Sequence, residues 1–134
     1  GWAMGLEFAY HNPRAAVEAV FEQFPSLAQN LGPEIGTTSL LQQTYVFRGD
    51  MEQRQGWGWH DMASWQSFFD TLVKIGQIKS PVKAEEVLTN DLIKGANDFD
   101  KDKVKSDAEG YKLSDAMQKL DVDNIKAHLY DQSV

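Results

Sequence analysis

The side chains with the clearest chemical potential in this chain of 134 residues are a run of carboxylates and a turn of aromatics. Asp98, Asp100 and Asp102 alternate along the chain, and Glu109 follows them. Oxygen ligands at the first, third, fifth and twelfth positions of a loop are what a helix–loop–helix calcium site uses to surround its ion. The sixth position of such a loop needs glycine for a sharp turn, and here it is Lys103, a cation beside the would-be ion. Lys105 also stands where an apolar side chain would pack between paired loops. An acidic helix start, with carboxylates favoured by the helix dipole, explains the run better. No metal is therefore expected.

Trp57, Trp59 and His60 form the best candidate for ligand contact. Aromatic faces on a glycine-punctuated loop can stack on a planar or cationic ligand, and histidine can donate or accept near neutral pH. The competing reading is that these aromatics plug the gap between two helices, with His60 beside a cap. The other histidines, His11 and His128, are far from His60 in sequence, and none has metal-ligand spacing. No nucleophile elbow, phosphate-cradling loop or dinucleotide fingerprint occurs. Carboxylates are abundant, but nothing marks two of them as an acid/base pair. No catalytic residue is assigned, no cofactor is implied, and an enzyme is the weaker class.

Composition narrows the partners. The formal charge is −7 and the pI about 4.8, so the surface repels phosphate backbones and anionic lipid. Nucleic acid is not an expected partner. There is no cysteine, which removes disulfides, thiolate zinc sites and a thiol nucleophile. No signal peptide is visible, and no apolar run approaches the roughly 20 residues that span a bilayer. The chain opens at Gly1-Trp2-Ala3-Met4 in what already reads as helix, so we expect a cut inside a longer protein.

The elements that must position these residues are helical. Trp2, Leu6, Ala9 and Tyr10 fall at helical spacing over residues 1–10. Asn12-Pro13 restarts the chain with an N-cap and a proline in the first helical position. Ala16, Val17, Val20, Phe21 and Phe24 form the expected buried stripe, ended by Pro25. Gly32-Pro33 punctuates before a third helix over residues 35–47, whose three threonines weaken its propensity. Residues 49–60 are irregular. Asp61 should cap a helix running to Gly76, with Trp65, Phe68, Phe69, Leu72 and Ile75 as the strongest apolar stripe in the chain. Ser80-Pro81 opens a short turn, Thr89 or Asn90 caps a segment ending at Gly95, and Asp100, Ser114 and Asp123 cap the remaining helices. No alternating strand pattern or tight hairpin turn is present. The fold class is all-α, one helical domain or fragment over residues 1–134, in several short helices.

A family resemblance takes the reading further. A tryptophan-containing turn, then Trp65 and the helix to Ile75-Gly76-Gln77-Ile78, then Val87-Leu88-Thr89-Asn90-Asp91, then Asn97-Asp98-Phe99-Asp100, resembles the C-terminal end of periplasmic solute-binding proteins. Within these it looks like the NMT1/THI5-like group, which serves ABC importers of sulfonates, nitrate and thiamine-precursor pyrimidines. Upstream, Asn12-Pro13-Arg14-Ala15-Ala16-Val17 is similar to the helix that precedes this region in the same group. Together these stretches cover about residues 5–112, a family-like helical section, and leave 113–134 as a C-terminal helical tail.

The resemblance implies two α/β lobes that close on a ligand, with this chain as the terminal helical section. It implies capture of a small-molecule ligand, delivery to an ABC permease, no chemical step, and a periplasmic or exported location. Family ligand contacts would lie mostly outside this sequence, so Trp57, Trp59 and His60 stand as candidates on their chemistry alone. A helical section that normally covers a sheet would expose an apolar face, which predicts self-association or a homodimer of the isolated piece. Two alternatives stay open. One is a fragment of a pyrimidine-synthesis enzyme related to the same group, which needs an active-site histidine and cofactor contacts that no motif here marks. The other is a stand-alone helical interaction or regulatory domain.

Overall fold

Asn12 does what its place before Pro13 predicts. Its side chain accepts a hydrogen bond from the Ala15 N–H at 3.1 Å, starting α2 (Pro13–Gln23) directly behind α1 (Trp2–His11). This is a computed structural model of the chain, and it describes residues 1–130. The last four residues of the expected tail, 131–134, lie outside the described residues. Every regular element among the described residues is helical, and none is long and apolar enough to cross a membrane. The all-α class follows.

Two compact units divide what the sequence presents as one helical span: residues 1–49 with 99–134, and the continuous segment 50–98 between them. In the first unit α3 (Pro25–Arg48) packs along α2, and α7 (Lys101–Glu109) along α1. Two shorter elements, α8 (Asp115–Gln118) and α9 (Val122–Tyr130), lie on α2 and α3. The core is built from small residues: Ala3, Ala9, Ala15, Val17 and Ala108, with Leu41, Val104 and Met117 as the larger members. Small residues let helix backbones approach closely, and Gly36 shows how closely. A Cβ there would stand 2.8 Å from Phe21 Cζ and 3.0 Å from Val17 Cγ1.

Several sequence expectations are corrected here. α2 does end at Gln23, with Phe24 pushed out of the helical region ahead of Pro25, but Pro25 also opens α3 as its first residue, where a missing N–H is harmless. Gly32 then breaks the helical path at φ 69°, ψ 170°, just ahead of Pro33, so the expected 35–47 helix is the second limb of a kinked element. The buried face of α2 is Pro13, Ala15, Val17 and Glu18, whereas Val20 and Phe24 are exposed. The reason is contact on several sides, by α1, α3 and α8 at once, which no single-stripe pattern anticipates. The last helix is capped by Asp121, whose Oδ1 accepts from Asn124 N–H at 2.9 Å, two residues before the expected Asp123.

Thr37 and Thr44 sit on the buried side of α3, and neither hydroxyl reaches a partner among the described residues. An unpaired buried hydroxyl costs about 1–3 kcal/mol, which a methyl of similar shape would not. Thr37→Val should therefore stabilise the chain by about 1 kcal/mol, read as a raised urea midpoint. A lowered midpoint would show that the hydroxyl is satisfied in solution.

The second unit holds α4 (Met62–Lys74), α5 (Ala84–Val87) and α6 (Ile93–Ala96). Asp61 caps α4 by accepting from Ser64 N–H at 2.6 Å. Ile75 and Gly76 end it as predicted: Gly76 (φ 75°) donates to Val73 O at 3.0 Å and Gln77 to Leu72 O at 2.9 Å. That pair of bonds is a Schellman cap, satisfying carbonyls the helix itself leaves open. Gln66 ties α4 to α5, its Oε1 accepting from Ala84 N–H at 2.9 Å and its Nε2 donating to Val82 O at 3.1 Å.

Candidate functional site

The turn that carries Trp57, Trp59 and His60 is held by two asparagines far along the chain. Asn97 Oδ1 accepts from Trp57 N–H at 2.9 Å, and Asn97 Nδ2 donates to Trp57 O at 3.0 Å and to Ile93 O at 2.9 Å. Asn90 repeats the device on His60, accepting from its N–H at 2.8 Å and donating to its carbonyl at 2.9 Å. A carboxamide offers one acceptor and two donors in a plane, so it can pair with a backbone N–H and C=O as a neighbouring strand would. An irregular turn thereby has its buried polar groups satisfied without any sheet.

Gly56 makes the close approach available. Its φ is +143°, and a Cβ would fall 2.5 Å from Asn97 Cγ. The residue read as flexible punctuation is the floor on which the Asn97 carboxamide lies. Trp57 follows at 1% exposure, with Ala84 and Ile93 as the other buried apolar residues of this unit. Its indole therefore presents no face for stacking, contrary to its place among the candidate contacts. Trp59 and His60 are half-buried, and the His60 ring meets the edge of Trp65 at 5.9 Å between centroids. The three candidates share one turn but not one open surface.

The aromatic surface lies instead on α4. Trp65, Phe68 and Phe69 touch one another, with centroids 5.7 to 6.0 Å apart. No residue of α4 is buried, although its apolar stripe is the most regular in the sequence. Phe68 is 50% and Ile75 61% exposed. Within this unit the neighbours α5 and α6 have four residues each, too short to cover a helix of thirteen. The stripe is real, and its residues are only partly covered: Trp65, Phe69 and Leu72 are half-buried while Phe68 and Ile75 are exposed.

The Asp61 carboxyl is held below the ordinary aspartate value of 3.8, first by the Ser64 backbone N–H, then by the Ser64 hydroxyl and by the charge of Arg54. A carboxyl lowered by folding adds stability above 3.8, and that stability is lost as pH falls through the lowered value. Helix signal from α4 should drop in that acid window and be less pH-sensitive in Asp61→Asn, which keeps an acceptor without the charge. Equal acid sensitivity of the two proteins by circular dichroism would refute this.

The acidic run behaves as a helix start. Asp100 caps α7 by accepting from Lys103 N–H at 2.9 Å, Asp102 lies exposed in the first turn, and Glu109 approaches Lys105 at 3.9 Å. Asp98 precedes this helix as an exposed loop residue. Among the described residues no three His, Asp or Glu side chains converge to hold a metal ion. His11 pairs with Glu7 at 3.2 Å, and His128 lies 2.8 Å from the Asn124 carbonyl through Nδ1.

Asn90 and Asn97 are the residues that sequence reasoning missed. The expected cap at Thr89 or Asn90 does not form: the Asn90 side chain serves His60, and α6 begins without a side-chain cap. The only local signal is the residue type, since asparagine is the side chain that best imitates a peptide group. No protein-family model, curated protein or solved structure matches this chain.

Proposed function

We propose that this chain is the C-terminal helical section of a substrate-binding protein that captures a small solute for an ABC importer, without a chemical step. The observation that carries the reading is α4, an amphipathic helix with no buried residue, whose Trp65–Phe68–Phe69 face is half-buried at Trp65 and Phe69 and exposed at Phe68. Such a face suits a helix that lies on a larger body. The first unit offers a similar surface, with Trp2 against Phe47 at 5.4 Å and Val46 74% exposed. The order of the Asn-Pro restart, tryptophan turn and Asn97-Asp98-Phe99-Asp100 stretch is the sequence support, and it points to an exported, periplasmic protein.

The test is the gene. Its complete reading frame should encode a signal peptide and upstream βα units, and the full product should gain thermal stability with a sulfonate, nitrate or a thiamine-precursor pyrimidine. A frame that starts within a few residues of Gly1 would sink the proposal. The isolated chain, with these faces open, should associate as concentration rises. A single monomeric species across a light-scattering concentration series would count against it.

A further inference from the structure

Inside the first unit a cleft of about 300 Å³ opens between α2, the kink of α3 and the start of α8. Phe21, Ala28, Pro33 and Met117 wall it, and Glu18 and Glu22 supply its charge. The kink at Gly32 interrupts α3 between Ala28 and Pro33, the residues that α3 contributes to the cleft. Met117, 2% exposed, belongs to the core beneath.

Glu18 is 9% exposed, and both its oxygens share one neutral donor, the Ser114 N–H, at 3.0 and 2.9 Å. Glu22, one helical turn on, accepts from the Tyr111 hydroxyl at 3.2 Å. Among the described residues no cationic side chain pairs with either carboxylate. A carboxylate mostly out of water is stabilised by a cation or by several donors, and here the Ser114 N–H is the protein donor that both Glu18 oxygens share. Tyr111 feels the same environment: burial first, then its bond to Glu22 and the negative charges of Glu22 and Glu18, push its hydroxyl above 10.0. What would complete such a place is a positive charge on a short apolar stem.

We propose that this cleft binds a small alkylammonium cation, with the Glu18 carboxylate as its counter-charge and Phe21, Pro33 and Met117 around its stem. The site rests on residues of this unit alone and stands or falls separately from the role in solute import.

Titration of the intact chain with n-butylammonium at neutral pH and low salt tests it by calorimetry. One equivalent should bind with a dissociation constant on the order of 1 mM, as expected for so small a ligand. Butanoate, of similar size and opposite charge, should not bind. Affinity should fall about tenfold in Glu18→Gln, the size of effect for losing a partly buried charge partner. Nα-acetyl-lysine methylamide is the second arm. Tighter binding than butylammonium assigns the site to a lysine side chain of a peptide, and weaker binding to a free amine. No saturable binding of either cation, equal binding of butanoate, or an unchanged constant in Glu18→Gln overturns the proposal. If Glu18→Gln does not fold, the exposed Glu22→Gln decides: a severalfold loss upholds the site, and unchanged affinity removes it.

Discussion

Asn97→Ala should lower the stability of the 50–98 unit by about 3 kcal/mol, the largest loss expected from any polar substitution in that unit. The side chain makes three hydrogen bonds at 2.9 to 3.0 Å, two to the backbone of Trp57 and one to Ile93 O. Each bond is worth about 1 kcal/mol net, which gives the expected total for the three. Trp57 is 1% exposed, so water reaches its freed N–H only if the turn opens. Asn97→Asp separates the parts: the acceptor for Trp57 N–H survives, but both donated bonds are lost. It should fall between wild type and the alanine variant, or below both if the carboxylate is repelled by the two carbonyls. Gly56→Ala attacks the contact from the other side, through a Cβ 2.5 Å from Asn97 Cγ and a φ of +143° that alanine avoids. Tryptophan fluorescence during urea unfolding is the readout, because Trp57, Trp59 and Trp65 all belong to this unit. Midpoints within error of wild type for both Asn97→Ala and Gly56→Ala would show that the clamp does not hold the turn.

Asn12→Ala should cost the first unit about 2 kcal/mol. The side chain does two jobs at once. Its Oδ1 caps α2 through Ala15 N–H, and its Nδ2 donates to Ala108 O at 2.8 Å, joining the start of α2 to the end of α7. Loss of a cap is worth about 1 kcal/mol, and the cross-link to a residue at 0% exposure adds a comparable amount. Asn12→Asp keeps the cap and loses the donor, so about half of the penalty should remain. Urea unfolding followed by far-ultraviolet circular dichroism separates the three proteins. If Asn12→Asp is as stable as wild type, the Ala108 link carries no stability and the cap alone accounts for the residue.

These residues also mark how far the sequence can be read. The cap at Asn12, the cap at Asp61 and the Gly76 terminus were legible because each depends on partners three to five positions away. The same local logic assigned Asp100 as the cap of α7. Burial was less legible. The α4 stripe is regular, but regularity states only that a face is apolar, and α5 and α6 are too short to cover it. On α2 the pattern pointed to Val20 and Phe24, which are exposed, because contact from α1, α3 and α8 selects Ala15 and Glu18 as well.

The candidate ligand turn divides along the same line. Its aromatic and glycine residues could be named from sequence, and so could the alternative that they plug a gap. Which side chain is sealed and which is half-open depended on Asn97 and Asn90, placed 40 and 30 residues downstream of their partners. By itself the sequence determined the helical class and the caps at Asn12, Asp61 and Asp100, since these follow from contacts within one turn of chain. Tertiary structure alone decided that Trp57 is core, that Phe68 on the aromatic face of α4 stays exposed, and that Glu18 is buried against the Ser114 N–H. Those outcomes depend on which distant groups arrive beside them, and hydrogen bonding and burial at that range leave no spacing in the sequence to read.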